Sequence, residues 1–100
     1  MKPKNVFPNR WRFHRVFLPT AFDYYQKEFP RLKIRGTWAQ APCPFHKEGK
    51  EKHPSLSVHL GEGHFKCHAC GASGGDIITF QRKRYGQSFP QASRALGAWL

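Results

Sequence analysis

Two pairs of metal-type ligands, Cys43-Pro44-Phe45-His46 and Cys67-His68-Ala69-Cys70, stand twenty residues apart and constrain the fold of this chain more than any other feature. A gap of two residues lets a tight turn aim both side chains at one ion, and two such knuckles supply the four tetrahedral corners of a structural zinc site. The pairs use all three cysteines in the sequence, which leaves no spare thiol and no possible closed disulfide set. Four protein ligands complete the coordination shell, so one Zn²⁺ is expected to hold structure and to activate no water. His14, His53, His59, His64 and His68 are not needed as ligands; His68 lies between Cys67 and Cys70, where it points away from the ion.

One other zinc chemistry shares part of this pattern. His46-Lys47-Glu48 followed by Cys67-x-x-Cys70 superficially matches the signature of zinc deaminases, in which the glutamate shuttles protons. That signature places a proline before its first cysteine, whereas residue 66 is lysine, and it would leave Cys43 idle. Turn and hairpin patterns also surround the ligands here, where the deaminase needs helix starts.

Around the ligands the chain reads as a small α+β domain. Pro19 and Pro30 bracket a short helix over about 19–29, with Phe22, Tyr25 and Phe29 as its core stripe. Alternation then gives a strand in which Leu32, Ile34 and, across Gly36, Trp38 point inward while Lys33, Arg35 and Thr37 point out. Residues 55–60 repeat the pattern, with Leu56, Val58 and Leu60 inward, and Gly61-Glu62-Gly63 turns the chain into a strand carrying Phe65 and Cys67 inward. Three antiparallel strands thus share one polar face of Lys33, Arg35, His59, His64, Lys66 and His68, with no acidic side chain interrupting it. After Gly74-Gly75, Ile77, Phe80, Gln81 and Arg84 or Tyr85 follow a helical period to Gly86. Ser88 and Gln91 then form a capping box for a last helix striped by Phe89, Ala92, Leu96 and Trp99. The expected architecture is a zinc ribbon with a three-stranded antiparallel sheet, an N-terminal helix and two C-terminal helices.

Charge indicates the partner. Seventeen Lys and Arg against six Asp and Glu give a formal charge of +11, which calls for a polyanionic partner or for strong solvation of a basic surface that aids solubility; nucleic acid is the first candidate partner. Aromatics are abundant too, and basic residues mixed with aromatics are what single strands demand. Residues 1–17 form a basic arm, Arg10-Trp11-Arg12-Phe13-His14-Arg15, that either touches nucleic acid or straps its rings onto the domain; residues 18–100 form the zinc-binding domain. No apolar run approaches a membrane span, so no membrane partner and a cytoplasmic location, where thiols stay reduced, are expected.

The motifs Cys43-Pro44-Phe45-His46, Pro54-Ser55-Leu56-Ser57-Val58, Cys67-x-x-Cys70-Gly71, Gly74-Gly75-Asp76-Ile77-Ile78-x-Phe80 and Ser88-Phe89-x-x-Ala92 with Leu96 resemble, in order and in kind, the N-terminal zinc-binding domain of bacterial and phage DNA primases. The resemblance covers roughly residues 18–100 and carries the four ligands onto Cys43, His46, Cys67 and Cys70. It implies a zinc ribbon whose sheet surface reads a short single-stranded template where primers begin. The chain departs from that family in a longer Lys47–His53 link and in His68-Ala69, which replaces the commoner Phe-Gly. The family's polymerase domain is not expected within these residues: the six acids, Asp23, Glu28, Glu48, Glu51, Glu62 and Asp76, are scattered rather than clustered to hold Mg²⁺. Primer synthesis is therefore expected only with a catalytic subunit supplied in trans.

The leading reading is a single-stranded DNA-binding module of a primase-type replication system. Lys33, Arg35 and Lys66, joined by Arg82, Lys83 and Arg84, would neutralise phosphates, with His59 on the same polar face; Trp38, His64 and His68 are candidates to stack on bases, although alternation puts Trp38 with the core. The alternative is an interaction adaptor, its ribbon or its Trp99-Leu100 tip docking on a helicase or a polymerase subunit.

Overall fold

The computed structural model describes residues 13–46 and 54–99. Among the described residues five strands form one antiparallel sheet in sequence order: β1 (Lys33–Arg35), β2 (Trp38–Ala41), β3 (Leu56–His59), β4 (Phe65–Cys67) and β5 (Ser73–Gly74). Helices α1 (Ala21–Glu28) and α2 (Ile77–Tyr85) supply the rings packed on its inner face, and α3 (Phe89–Ala95) follows α2. A short 3-10 turn, Arg15–Phe17, precedes α1. The α+β ribbon and its three helices agree with the sequence-based expectation; the sheet has five strands instead of three.

The difference arises at Gly36-Thr37. These two residues do not continue a strand but turn it back, with Gly36 at φ 64° in the left-handed region that short hairpin loops require. A two-residue loop inverts the parity of the alternation. Arg35 pairs with Trp38, so Trp38 joins Lys33 and Arg35 on the outer face, and Ala39 takes the inward position opposite Ile34. The expected inward Trp38 is therefore corrected: it is 42% exposed, while Ala39 and Ala41 are buried. Ile34 is exposed as well, at the edge of the sheet. The fifth strand, β5, is a two-residue return against β4.

Each helix is bounded by a local signal. The Thr20 hydroxyl accepts the Asp23 N–H at 3.1 Å and starts α1. Asp76 is the N-cap of α2, accepting the Thr79 N–H at 2.8 Å, and Gly86 closes that helix in the left-handed conformation. The Ser88–Gln91 capping box opens α3 as expected. In α1 the buried side chains are Ala21, Tyr24 and Tyr25, with Phe29 just beyond; Phe22, expected in the core, faces solvent.

The core gathers around Phe80 of α2. Its ring meets Tyr25 at 5.2 Å, Phe45 at 5.2 Å and Phe65 at 5.0 Å in edge-to-face contacts, joining α1, the first knuckle and the sheet. Two buried phenols lock this arrangement. Tyr25 donates to the Gly63 carbonyl at 2.5 Å and Tyr24 to Gln81 Oε1 at 2.6 Å. Burial pushes both phenols well above the ordinary tyrosine range, which keeps them protonated as donors. The Tyr25 bond holds the β3–β4 turn from beneath. There Gly63 adopts φ 89°, and a Cβ would meet Ile77 Cγ2 at 3.0 Å, so the turn fits against α2 only as glycine.

At the other end, His14 N–H donates to the Ala98 carbonyl at 2.7 Å and Phe13 pairs with Trp99. Arg94 lies over the Trp99 ring at 5.5 Å, so this tryptophan packs against the domain. Residues 1–12 of the arm, the 47–53 link and Leu100 lie outside the described residues.

Candidate metal centre and nucleic-acid interface

The first knuckle follows β2 directly, and the second begins on the last residue of β4. Cys43 and Cys67 are fully buried, so the metal site is continuous with the core rather than appended to it. The ligand atoms of Cys43, His46, Cys67 and Cys70 all lie within 4.8 Å of one another. Cys43 Sγ is 3.8 Å from Cys70 Sγ, and Cys67 Sγ is 3.8 Å from His46 Nδ1. A tetrahedral zinc ion with bonds of about 2.3 Å to sulfur requires edges of roughly 3.8 Å. The donors therefore stand where one Zn²⁺ needs them.

Backbone geometry favours thiolates at this site. Cys43 Sγ accepts the Phe45 N–H at 3.4 Å; Cys67 Sγ accepts those of Ala69 at 3.4 Å and Cys70 at 3.3 Å. Burial opposes ionisation of Cys67, but the Ser55 hydroxyl, at 3.4 Å, together with those N–H groups outweighs it and draws the thiol below its usual range. Burial holds Cys43 above that range, with Cys67 as its hydrogen-bonded neighbour. Bound zinc, carrying two positive charges, would favour the thiolate form of all three cysteines. Ser55 was not anticipated from sequence, because its role depends on the register that sets Leu56 beside Cys67.

On the other side of the sheet, the register collects the polar residues expected there. Lys33 pairs with Gln40 and Arg35 with Trp38; Trp38 pairs with His59 and Gln40 with Ser57; Ser57 pairs with Lys66. Trp38 stands in the row beside the β1–β2 turn, opposite Arg35 and His59. Its ring meets His59 and His64 edge-on, each at 5.0 Å, and the two imidazoles stack on each other at 4.6 Å and 15°. His68 extends the face along the second knuckle, with Nε2 at 3.1 Å from the Ser57 hydroxyl. One acid does reach the patch, contrary to expectation: Glu62, in the β3–β4 turn, lies 3.6 Å from His64 Nδ1.

Arg82, Lys83 and Arg84 are not part of this surface. They end α2, which packs through Phe80 on the inner side of the sheet, opposite the face that carries Trp38; Lys83 and Arg84 line an opening there with Phe45 and Cys70 of the knuckles. Arg84 is engaged by Glu28 at 3.7 Å and covers the Phe29 ring. Cations at a helix C-terminus also offset its dipole, which accounts for their position without a ligand.

Known proteins share this arrangement. Residues 26–99 match the model of the CHC2 zinc finger. A DNA primase of Chlamydia trachomatis is 43% identical over 65 residues, 65% of this chain and 10% of the relative. A DNA primase of Thermotoga maritima is 41% identical over 69 residues, 69% of this chain and 12% of the relative. Among solved structures, the Aquifex aeolicus primase (zinc-binding and RNA polymerase domains) superposes with a TM-score of 0.63 at 26% identity, covering 97% of this chain and 21% of that one. The chain thus spans about a tenth of the length of these sequence relatives. With its Cys-His-Cys-Cys centre, its ribbon fold and these likenesses, the chain belongs to the CHC2 zinc-finger family, the zinc-binding domain of DNA primases.

Proposed function

We propose that the outer face of the sheet binds single-stranded DNA and that the domain selects template sites for a primase, with primer synthesis carried out by a polymerase domain on this protein or on a separate chain. The observation that carries this reading is Trp38. A large ring 42% exposed on the open face of the sheet, beside the β1–β2 turn, offers a flat apolar surface on which a base can stack. It is bordered by two imidazoles and paired with Arg35, and the exposed cations Lys33 and Lys66 lie two residues further along the same face, in the row of Gln40 and Ser57. Rings take stacked bases and the cations neutralise the phosphates between them. Stacking of this kind needs bases already free of a duplex, which favours single strands. The basic arm, residues 1–17, would add charge to an 18–100 domain.

Replacing Trp38 with Ala is expected to weaken oligonucleotide binding roughly 5- to 150-fold, corresponding to about 1–3 kcal/mol for one stacked base. Thermal stability should change little, because the side chain fills no cavity. Fluorescence anisotropy on a labelled single strand measures the first effect and a melting curve the second. Reversing Lys33, Arg35 and Lys66 together should abolish binding and flatten its salt dependence, since each neutralised phosphate contributes about −0.7 to the log–log slope. Unchanged affinity in both variants would move the function to an adaptor role, docking on a helicase or a polymerase subunit.

A further inference from the structure

Within the patch, His59 differs from its neighbours in how it is held. Its Nδ1 accepts two backbone hydrogen bonds from the turn it introduces, one from the Gly61 N–H at 3.2 Å and one from the Glu62 N–H at 2.9 Å. An imidazole nitrogen that accepts must carry a lone pair, so the ring proton resides on Nε2. Stacking on His64 and the edge contact with Trp38 fix the plane of the ring, and the bare Cα of Gly61 leaves room for it: a Cβ there would stand 3.1 Å from His59 Cε1. Nε2 has no protein partner among the described residues. The result is an oriented N–H donor on the polar face, set in one tautomer before any ligand arrives.

The same constraint rules on a second possibility. His59, Glu62 and His64 offer ligand atoms within 4.8 Å of one another, close enough by distance alone to gather a metal. Coordination through His59 Nδ1 would displace both turn hydrogen bonds. Coordination through Nε2 would move the proton to Nδ1, against two N–H groups that already point at it. The cluster is built to donate a proton in a hydrogen bond, not to hold an ion.

We propose that His59 is a specificity-determining residue of the nucleic-acid face: its Nε2–H donates to the carbonyl oxygen of a keto base, thymine or guanine, at one position of the strand. Adenine and cytosine place an amino group where that oxygen would be, so a fixed donor meets a donor and is left without a partner. This role rests on the proposed single-strand binding by the same face.

The experiment uses the zinc-loaded full chain and has two arms. Long-range ¹⁵N–¹H NMR of the histidine rings in the free protein reports the tautomer and is independent of any ligand. It is expected to show His59 as the Nε2–H form; an Nδ1–H ring would overturn the proposal. In the second arm, affinities are measured for short single strands in which each position in turn is T, G, A or C. The wild type should prefer T and G at one position by about three- to tenfold, the range of one hydrogen bond.

His59→Asn keeps an acceptor oxygen near Nδ1 for the turn but has no atom at Nε2, so it should bind with the preference erased. His59→Gln places an N–H near Nε2 and should retain part of it. A preference that survives in His59→Asn would refute the role of His59 while leaving the face intact. Failure of the wild type to bind any single strand would refute the face, and this role with it, whatever the tautomer.

Discussion

Removal of zinc, by chelation or by Cys67→Ser, is expected to unfold the domain rather than to loosen two loops. The ligands are not peripheral: Cys43 and Cys67 are fully buried beside Leu56 and Phe65, and Phe45, inside the first knuckle, packs on Phe80. Losing the ion leaves buried sulfurs clustered within 4.8 Å without the charge that lets them share the site. It also frees the ends of β2 and β4 that the two knuckles tie together. Structural zinc contributes on the order of 10 kcal/mol, and a small domain holds only about 5–15 kcal/mol in total. Circular dichroism during chelation should therefore show concerted loss of strand and helix signal, restored by stoichiometric Zn²⁺. A sheet that keeps its far-ultraviolet spectrum after complete metal removal would contradict this.

Phe80→Ala should be the most damaging change away from the metal. The side chain is completely buried and touches five rings: Tyr24, Tyr25, Phe29, Phe45 and Phe65. Those rings come from α1 and its C-terminal end, from the first knuckle and from β4, so no single element can move to fill the space. Truncation of a buried Phe costs about 3–5 kcal/mol through lost transfer energy and the cavity left behind. Urea denaturation of the zinc-loaded protein would measure it. Because Phe45 leans on the vacated volume, zinc affinity should fall in the same variant. A stability loss under about 1 kcal/mol would show that the rings are not packed as described.

Much of the site could be read from residues close together in sequence, and little of what orients it could. The ligand spacings, the Ser88–Gln91 box, and the inward run Leu56, Val58, Leu60 are local patterns, and each appears where expected. The parity of Trp38 was missed because period-2 alternation looks the same through a straight strand and across a two-residue turn. Only the pairing of Arg35 with Trp38 separates the two cases. The Ser55 contact with Cys67 and the Tyr25 bond to Gly63 link residues 12 and 38 positions apart and follow from register and packing. The lock on His59 spans only three residues, but it depends on a ring orientation that composition does not encode. Conversely, the run Arg82-Lys83-Arg84 is prominent in sequence, yet the fold places it on the inner side of the sheet, opposite the face of the aromatic patch.

Residue-resolved NMR during titration of the zinc-loaded chain with a short single-stranded oligonucleotide tests the two-faced picture most directly. Signals of Lys33, Arg35, Trp38, His64 and Lys66 should shift together, while those of Arg82 and Lys83, on the inner side of the sheet, stay in place. Shifts confined to the α2 terminus, with the Trp38 indole unmoved at saturation, would contradict it.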